Sequence, residues 1–130
     1  MAQQIESVLE KKRFDWLIVQ GDTATAAAAA TAAFLNHVPV AHVEAGLRTG
    51  DLYSPWPEEF NRRVITLCAT AHFAPTLAAR DNLLAEGVPA DRVMVVGNTV
   101  VDALLYVRAK IRSGYEPIDP ALAALPSDKK

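Results

Sequence analysis

The sequence predicts an α/β domain built on a parallel sheet, and three observations carry that reading. Short apolar runs (FDWLIV, VPVAHV, AHFA, RVMVV) alternate with longer stretches of helical periodicity. The first run, Phe14 to Val19, is nearly continuous rather than alternating, as expected of a strand covered on both faces. The order αβαβ, a long polar connection, then αβαβα, favours right-handed crossovers and a partial Rossmann-like sheet flanked by helices.

Ala2 to Lys12 has Ile5, Val8 and Leu9 at spacings of three and four, predicting a short amphipathic helix that ends in basic residues. Phe14 to Val19 is the first strand, stopped near Gly21. Thr23 to Leu35 is almost all alanine and threonine; alanine is the best helix former, and its small side chain lets a helix lie close to a sheet. Val38 to Val43 is a second strand, with Pro39 at its entry. Glu58 to Ala69 is a helix expected to bury Phe60, Val64, Ile65, Leu67 and Cys68. Ala71 to Ala74 is a brief strand. Thr76 caps a helix running to Glu86, with Gly87 and Pro89 as its stop. Arg92 to Val96 is the fourth strand, and Thr99 to Ile111 a last amphipathic helix. Residues 1–112 are expected to form a partial N-terminal Rossmann-like domain, and 113–130, with three prolines and a charged end, a linker or frayed tail.

With 130 residues, 51% of them hydrophobic, one core is the expectation. A net charge of −2 with interspersed signs offers no basic face for nucleic acid and no polybasic patch for anionic lipid. Cys68 is the only cysteine, so no internal disulfide forms; no signal-like stretch follows Met1 and no run is long enough to span a membrane. A cytoplasmic location is expected. His37, His42 and His72 lack metal-ligand spacing with Cys68, and no P-loop, nucleophile elbow or dinucleotide fingerprint is present, so neither metal nor cofactor is expected.

The connection EAGLRTGDLYSPWPEE (Glu44 to Glu59) is too long to be a bland turn, and its apolar and aromatic residues argue against disorder. It leaves the carboxyl end of a strand, where open α/β sheets place ligands. Asp22 occupies the same edge after the first strand, although it or Thr23 could equally cap the next helix. Glu44 beside Asp22 calls for a cation, a ligand hydroxyl or a shared proton. Arg48, Arg62 and Arg63 supply positive charge, with surface ion pairing the simpler account of Arg63. Glu58 and Glu59 open a helix, where acids favour the dipole, and Glu58 and Arg62 are i,i+4 partners; helix stability alone explains both.

Taken together, GDT (Gly21 to Thr23), HVEAGLRTGDLYSPWPEE with NRR (His42 to Arg63), HFAPT (His72 to Thr76) and GNTVVDAL (Gly97 to Leu104) stand in the order and spacing of the non-hydrolysing UDP-N-acetylglucosamine 2-epimerases. The resemblance covers roughly Phe14 to Val107. Gln20 departs from the histidine usual before GDT. The resemblance implies a GT-B-like two-domain fold, with the active site between domains and UDP held mainly by the second; this chain matches only part of the first. It implies inversion at C2 of the sugar by elimination and re-addition of UDP, giving UDP-N-acetylmannosamine. Asp22, Glu44 and Glu58 match the family's three functionally important carboxylates, so these are the expected catalytic residues, their individual roles left open. Asp22, Glu44, Arg48 and Arg62 are the expected substrate-binding residues; Glu58 with Arg62 could alternatively belong to a neighbouring regulatory UDP-sugar site. The expected partner is a UDP-sugar, and the complete enzyme is expected to be a homodimer. Alternatives are a hydrolysing UDP-N-acetylglucosamine 2-epimerase, a GT-B glycosyltransferase, which the VEAGLRTG block disfavours, and a non-catalytic fragment or sugar-nucleotide-binding module. The isolated chain is expected to be inactive.

Overall fold

The computed structural model describes residues 2–115. The chain divides into two units, Met1–Asn98 and Thr99–Lys130. In the first unit the elements run α1 (Ala2–Lys11), β1 (Leu17–Gln20), α2 (Ala24–Leu35), β2 (Val40–Val43), α3 (Glu58–Cys68), β3 (Ala71–Ala74), α4 (Leu77–Ala85), a 3-10 turn at Ala90–Arg92, and β4 (Val93–Val95). The strands form one parallel sheet in the order β1-β2-β3-β4. The α/β sheet flanked by helices is therefore as the sequence predicts, with β1 and β2 beginning three and two residues later than expected, β3 at its expected bounds and β4 one residue shorter at each end.

Because sequential strands are spatial neighbours, every right-handed crossover brings its helix back onto the same side. The register bears this out: Val19, His42, His72 and Val93 lie in one row across the sheet. On that face Val19 and Val40 pack with Ala26, Ala27, Ala30 and Ala33 of α2 and Ile65 of α3, while Ala74 and Val93 pack with Ala79 and Leu83 of α4. The alanines do what their size suggests: Ala30 and Ala33 are fully buried between sheet and α3. Ile18 and Met94, which alternate onto the other face, are 69% and 43% exposed. The expectation that the first strand is covered on both faces is thus corrected. A run of strands added in one direction supplies helices to one face only.

The termini of the helices follow local chemistry. Thr23 Oγ1 accepts from Ala26 N (3.2 Å) and Thr76 Oγ1 from Ala79 N (3.1 Å), so both threonines are N-caps and Asp22 is released from that role. Gly87, at φ +88°, ends α4 with Val88 N donating to Leu83 O and Gly87 N to Leu84 O, the paired bonds of a Schellman stop.

The burial expected of α3 is also corrected. Ile65 is buried, but Phe60 and Leu67 are 53% and 82% exposed; the helix instead buries Glu59, Asn61 and Thr66. Its inward face is polar because it holds the preceding loop through hydrogen bonds.

The second unit contains α5 (Thr99–Arg112), none of whose residues is buried. Ser113 and Gly114 close it, with Tyr115 N donating to Lys110 O. The remainder of the expected tail, residues 116–130, lies outside the described residues.

Candidate active site

The site grows from the carboxyl edge of the sheet. Past β1 the chain turns at Gly21, whose N–H donates to Val43 O (3.0 Å), and presents Asp22 just before the Thr23 cap. Past β2 it turns at Glu44, and Ala45 N donates to Phe73 O (3.0 Å). Glu44 has φ +68°, the left-handed region that costs a side-chain-bearing residue about 1–2 kcal/mol. Strain of this kind collects where surrounding structure must aim a functional group. Here it aims the carboxylate across β1: a Cβ placed on Gly21 would lie 3.7 Å from Glu44 Oε2. Asn98 Nδ2 donates to Glu44 Oε1 over 3.4 Å. Gly21, Glu44 and Asn98, which follow β1, β2 and β4, are therefore brought together at the carboxyl edge of the sheet.

Asp22 is held from α3. Arg62 directs Nε and Nη2 at Asp22 Oδ2 (2.8 and 2.6 Å), and Asn61 Nδ2 donates to the Asp22 carbonyl (2.8 Å). This pairing corrects the expected Glu58–Arg62 contact. Glu58 is half-buried at the start of α3 and makes no hydrogen bond or ion pair among the described residues.

Sequence reasoning passed over Glu59 as one more acid at a helix start. It is fully buried, and accepts from Thr49 N (3.1 Å), Arg62 Nη1 (3.3 Å) and Arg63 Nε and Nη2 (3.3 Å each). Burial by itself would raise its pKa, but the hydrogen bonds from Thr49, Arg62, Arg63 and Gly50 outweigh that and hold it below the ordinary value. The signal was present: Arg62 and Arg63 stand three and four residues after Glu59, on its own helix face.

Arg48 lies elsewhere than expected. Nε and Nη2 bind the two Glu86 oxygens at 2.7 Å each, Nη2 also reaches Thr66 Oγ1 (2.9 Å), and Nη1 donates to Leu47 O (2.8 Å). Its side chain is 7% exposed. Arg48 thus ties the loop to α3 and to the end of α4, and holds the Glu86 carboxyl below its ordinary pKa against the opposing effect of burial. Neither it nor Arg62 is an uncommitted cation.

The loop between Glu44 and α3 folds back on itself through a bridge between Asp51 and Ser54, with cis peptide bonds at Ser54–Pro55 and Trp56–Pro57. Leu52, Tyr53, Trp56, Pro57 and Phe60 line a recess of about 540 Å³ that also touches Ala24 and Asn61, beside the start of α2. Behind the site, His42 is fully buried and donates Nε2–H to the Gly21 carbonyl (2.8 Å), steadying the turn that carries Asp22. Burial is the main cause of its lowered pKa. Among the described residues no group of three or more potential ligands forms a metal site, and no helix is long and apolar enough to cross a membrane.

An open parallel sheet with two carboxylates raised from adjacent strand ends, one clamped by an arginine, is the arrangement of an α/β domain whose ligand site lies at the carboxyl edge of its sheet. The family model described as UDP-N-acetylglucosamine 2-epimerase matches residues 1–127, and the chain belongs to that family. It is 58% identical over 109 residues to a Ralstonia solanacearum member and 54% identical over 107 residues to the Yersinia pestis enzyme. These alignments cover 84% and 82% of this chain but only 29% and 28% of the relatives. The solved Neisseria meningitidis epimerase bound to UDP-GlcNAc superposes with a TM-score of 0.83 at 50% identity, over 85% of this chain and 30% of that one. The chain therefore spans under a third of the length of these three relatives.

Proposed function

We propose that this chain forms one wall of a UDP-N-acetylglucosamine 2-epimerase active site, and that turnover requires the remainder of such an enzyme. The observation that carries the reading is the convergence of Asp22 and Glu44 at one sheet edge, with Glu44 held in a strained backbone conformation. Epimerisation at C2 needs a base for a weakly acidic C–H, an acid on the opposite face, and positive charge against the departing diphosphate. Glu44, with one long hydrogen bond, is the less committed carboxylate and is assigned the proton transfer; Asp22, clamped by Arg62, is assigned to binding the sugar. Glu58, half-buried and unpaired, is the third carboxylate available to the reaction. Arg48 and Arg62 are committed to Glu86 and to Asp22 and Glu59, so neither is assigned to receiving the departing diphosphate. A cytoplasmic location and a homodimeric whole enzyme belong to the same proposal, supported by the family resemblance.

The test is a chimera in which residues 14–107 replace the matching segment of the Neisseria meningitidis enzyme. The chimera is expected to convert UDP-N-acetylglucosamine to UDP-N-acetylmannosamine by NMR, the isolated chain is not, and Glu44→Gln in the chimera is expected to lower kcat at least about a hundredfold. A folded chimera without activity, or with activity insensitive to Glu44→Gln, refutes the assignment. Release of free N-acetylmannosamine and UDP would instead favour the hydrolysing reaction.

A further inference from the structure

Away from Asp22 and Glu44, toward the entry ends of β3 and β4, α3 and α4 part to leave a crevice of about 450 Å³. Its walls are Arg63 and Thr66 on α3, the Glu86–Pro89 turn after α4, and Arg92; its floor includes His72. Three features of this lining bear on what it could hold.

The charge balance is positive. Glu86 is the acid in the lining, and both its oxygens are taken by Arg48 at 2.7 Å. Arg63 reaches Glu59 only at 3.3 Å, and Glu59 shares its charge with Arg62. Arg92 makes no ion pair among the described residues. The floor is polar and unsatisfied: His72 is 1% exposed, yet its Nδ1 has no hydrogen-bond partner. A buried ring nitrogen without a partner is costly in a native fold and is commonly answered by a bound group. Finally, burial, and then the neighbouring His42, depress the His72 pKa to about 4 against the opposing effect of a backbone hydrogen bond at Ala69, so at neutral pH the ring is not another cation.

Two guanidinium groups exclude a cation, and the crevice has no uncommitted carboxylate to hold one. Planar forked donors suit the oxygens of a phosphoryl group. We propose that the α3–α4 crevice is a binding site for a phosphoryl oxyanion, gripped by Arg63 and Arg92 with His72 beneath. The site is separate from the sugar-nucleotide wall and does not depend on the function assigned to it.

The test uses the 130-residue chain, labelled with 15N, titrated at pH 7 and constant ionic strength with inorganic phosphate, with glycerol phosphate as a monoester, and with chloride. Saturable shifts in the His72 ring nitrogens, Arg92 Nε and the Gly87–Val88 amides are expected with phosphate and absent with chloride. Response to the monoester as well identifies an esterified ligand, and response to phosphate alone a free ion. Arg92→Gln, at an exposed position, is expected to keep the melting temperature and weaken phosphate binding about tenfold. Linear shifts, equal shifts with chloride, or undiminished binding in folded Arg92→Gln each overturn the proposal.

Discussion

Replacing Glu59 with glutamine keeps the shape of the side chain but removes the negative charge around which Thr49, Arg62 and Arg63 are arranged. Breaking a buried ion pair by removing one partner costs about 3–5 kcal/mol, because the other partner is left uncompensated. Two features move Glu59→Gln to the lower end. Arg62 keeps its bonds to Asp22, and Arg63, with 41% of its side chain exposed, can turn to water. The glutamine NH2 group, in contrast, would face arginine donors or the Thr49 N–H and can satisfy neither. A loss of about 3 kcal/mol follows, which for a chain of this size lowers Tm by about 11 °C. Urea unfolding followed by circular dichroism measures it, and hydrogen exchange at Thr49 should accelerate as the loop is released. Glu58→Gln, one residue away and without a partner, is the control and should stay within about 0.5 kcal/mol. If the two variants lose stability equally, or Glu59→Gln loses less than about 1 kcal/mol, the buried carboxylate is not what holds the signature loop.

Stability should fall on acidification before the carboxylates titrate. His72 and His42 have folded pKa values below the ordinary 6.5, so the unfolded chain binds protons first; their contribution is complete above pH 6.5 and is lost as pH falls toward the folded values. For His72, lowered to about 4, the loss is about 3 kcal/mol by pH 4, and urea midpoints at pH 7, 5.5 and 4.5 should decline accordingly. Glu59 and Glu86 add to the decline only below their ordinary 4.5, since their depressed values stabilise the fold above it. A flat profile from pH 7 to 5 would contradict the buried neutral histidines. Gly46→Ala and Gly50→Ala should separate cleanly, although both glycines have positive φ. A Cβ on Gly46 would sit 2.2 Å from the Ala79 carbonyl oxygen, whereas one on Gly50 meets nothing within 4 Å. Backbone strain alone costs Gly50→Ala about 1–2 kcal/mol, and strain plus overpacking costs Gly46→Ala at least about 3 kcal/mol. Equal melting temperatures for the two would disprove the close packing of loop on α4.

The order of elements, the threonine caps of α2 and α4, the Gly87 stop and the third strand were all legible in the sequence, because each is set by residues within about one helical turn. So was the family, through motifs that the fold brings to successive strand ends. The hand of the crossovers was also legible, but the covering of one face by α2, α3 and α4 follows from the strand order β1-β2-β3-β4, which belongs to the tertiary structure. Only the tertiary structure decided who pairs with whom. Arg62 reaches back 40 residues to Asp22 as well as to Glu59 on its own helix, and Arg48 reaches forward 38 to Glu86. It also decided that Glu59 rather than Phe60 and Leu67 faces inward, and that Glu44 bends into the left-handed region. Periodicity registers neighbours three or four positions apart, whereas an ion pair answers to distance and burial, which exist only once distant strands have been laid side by side.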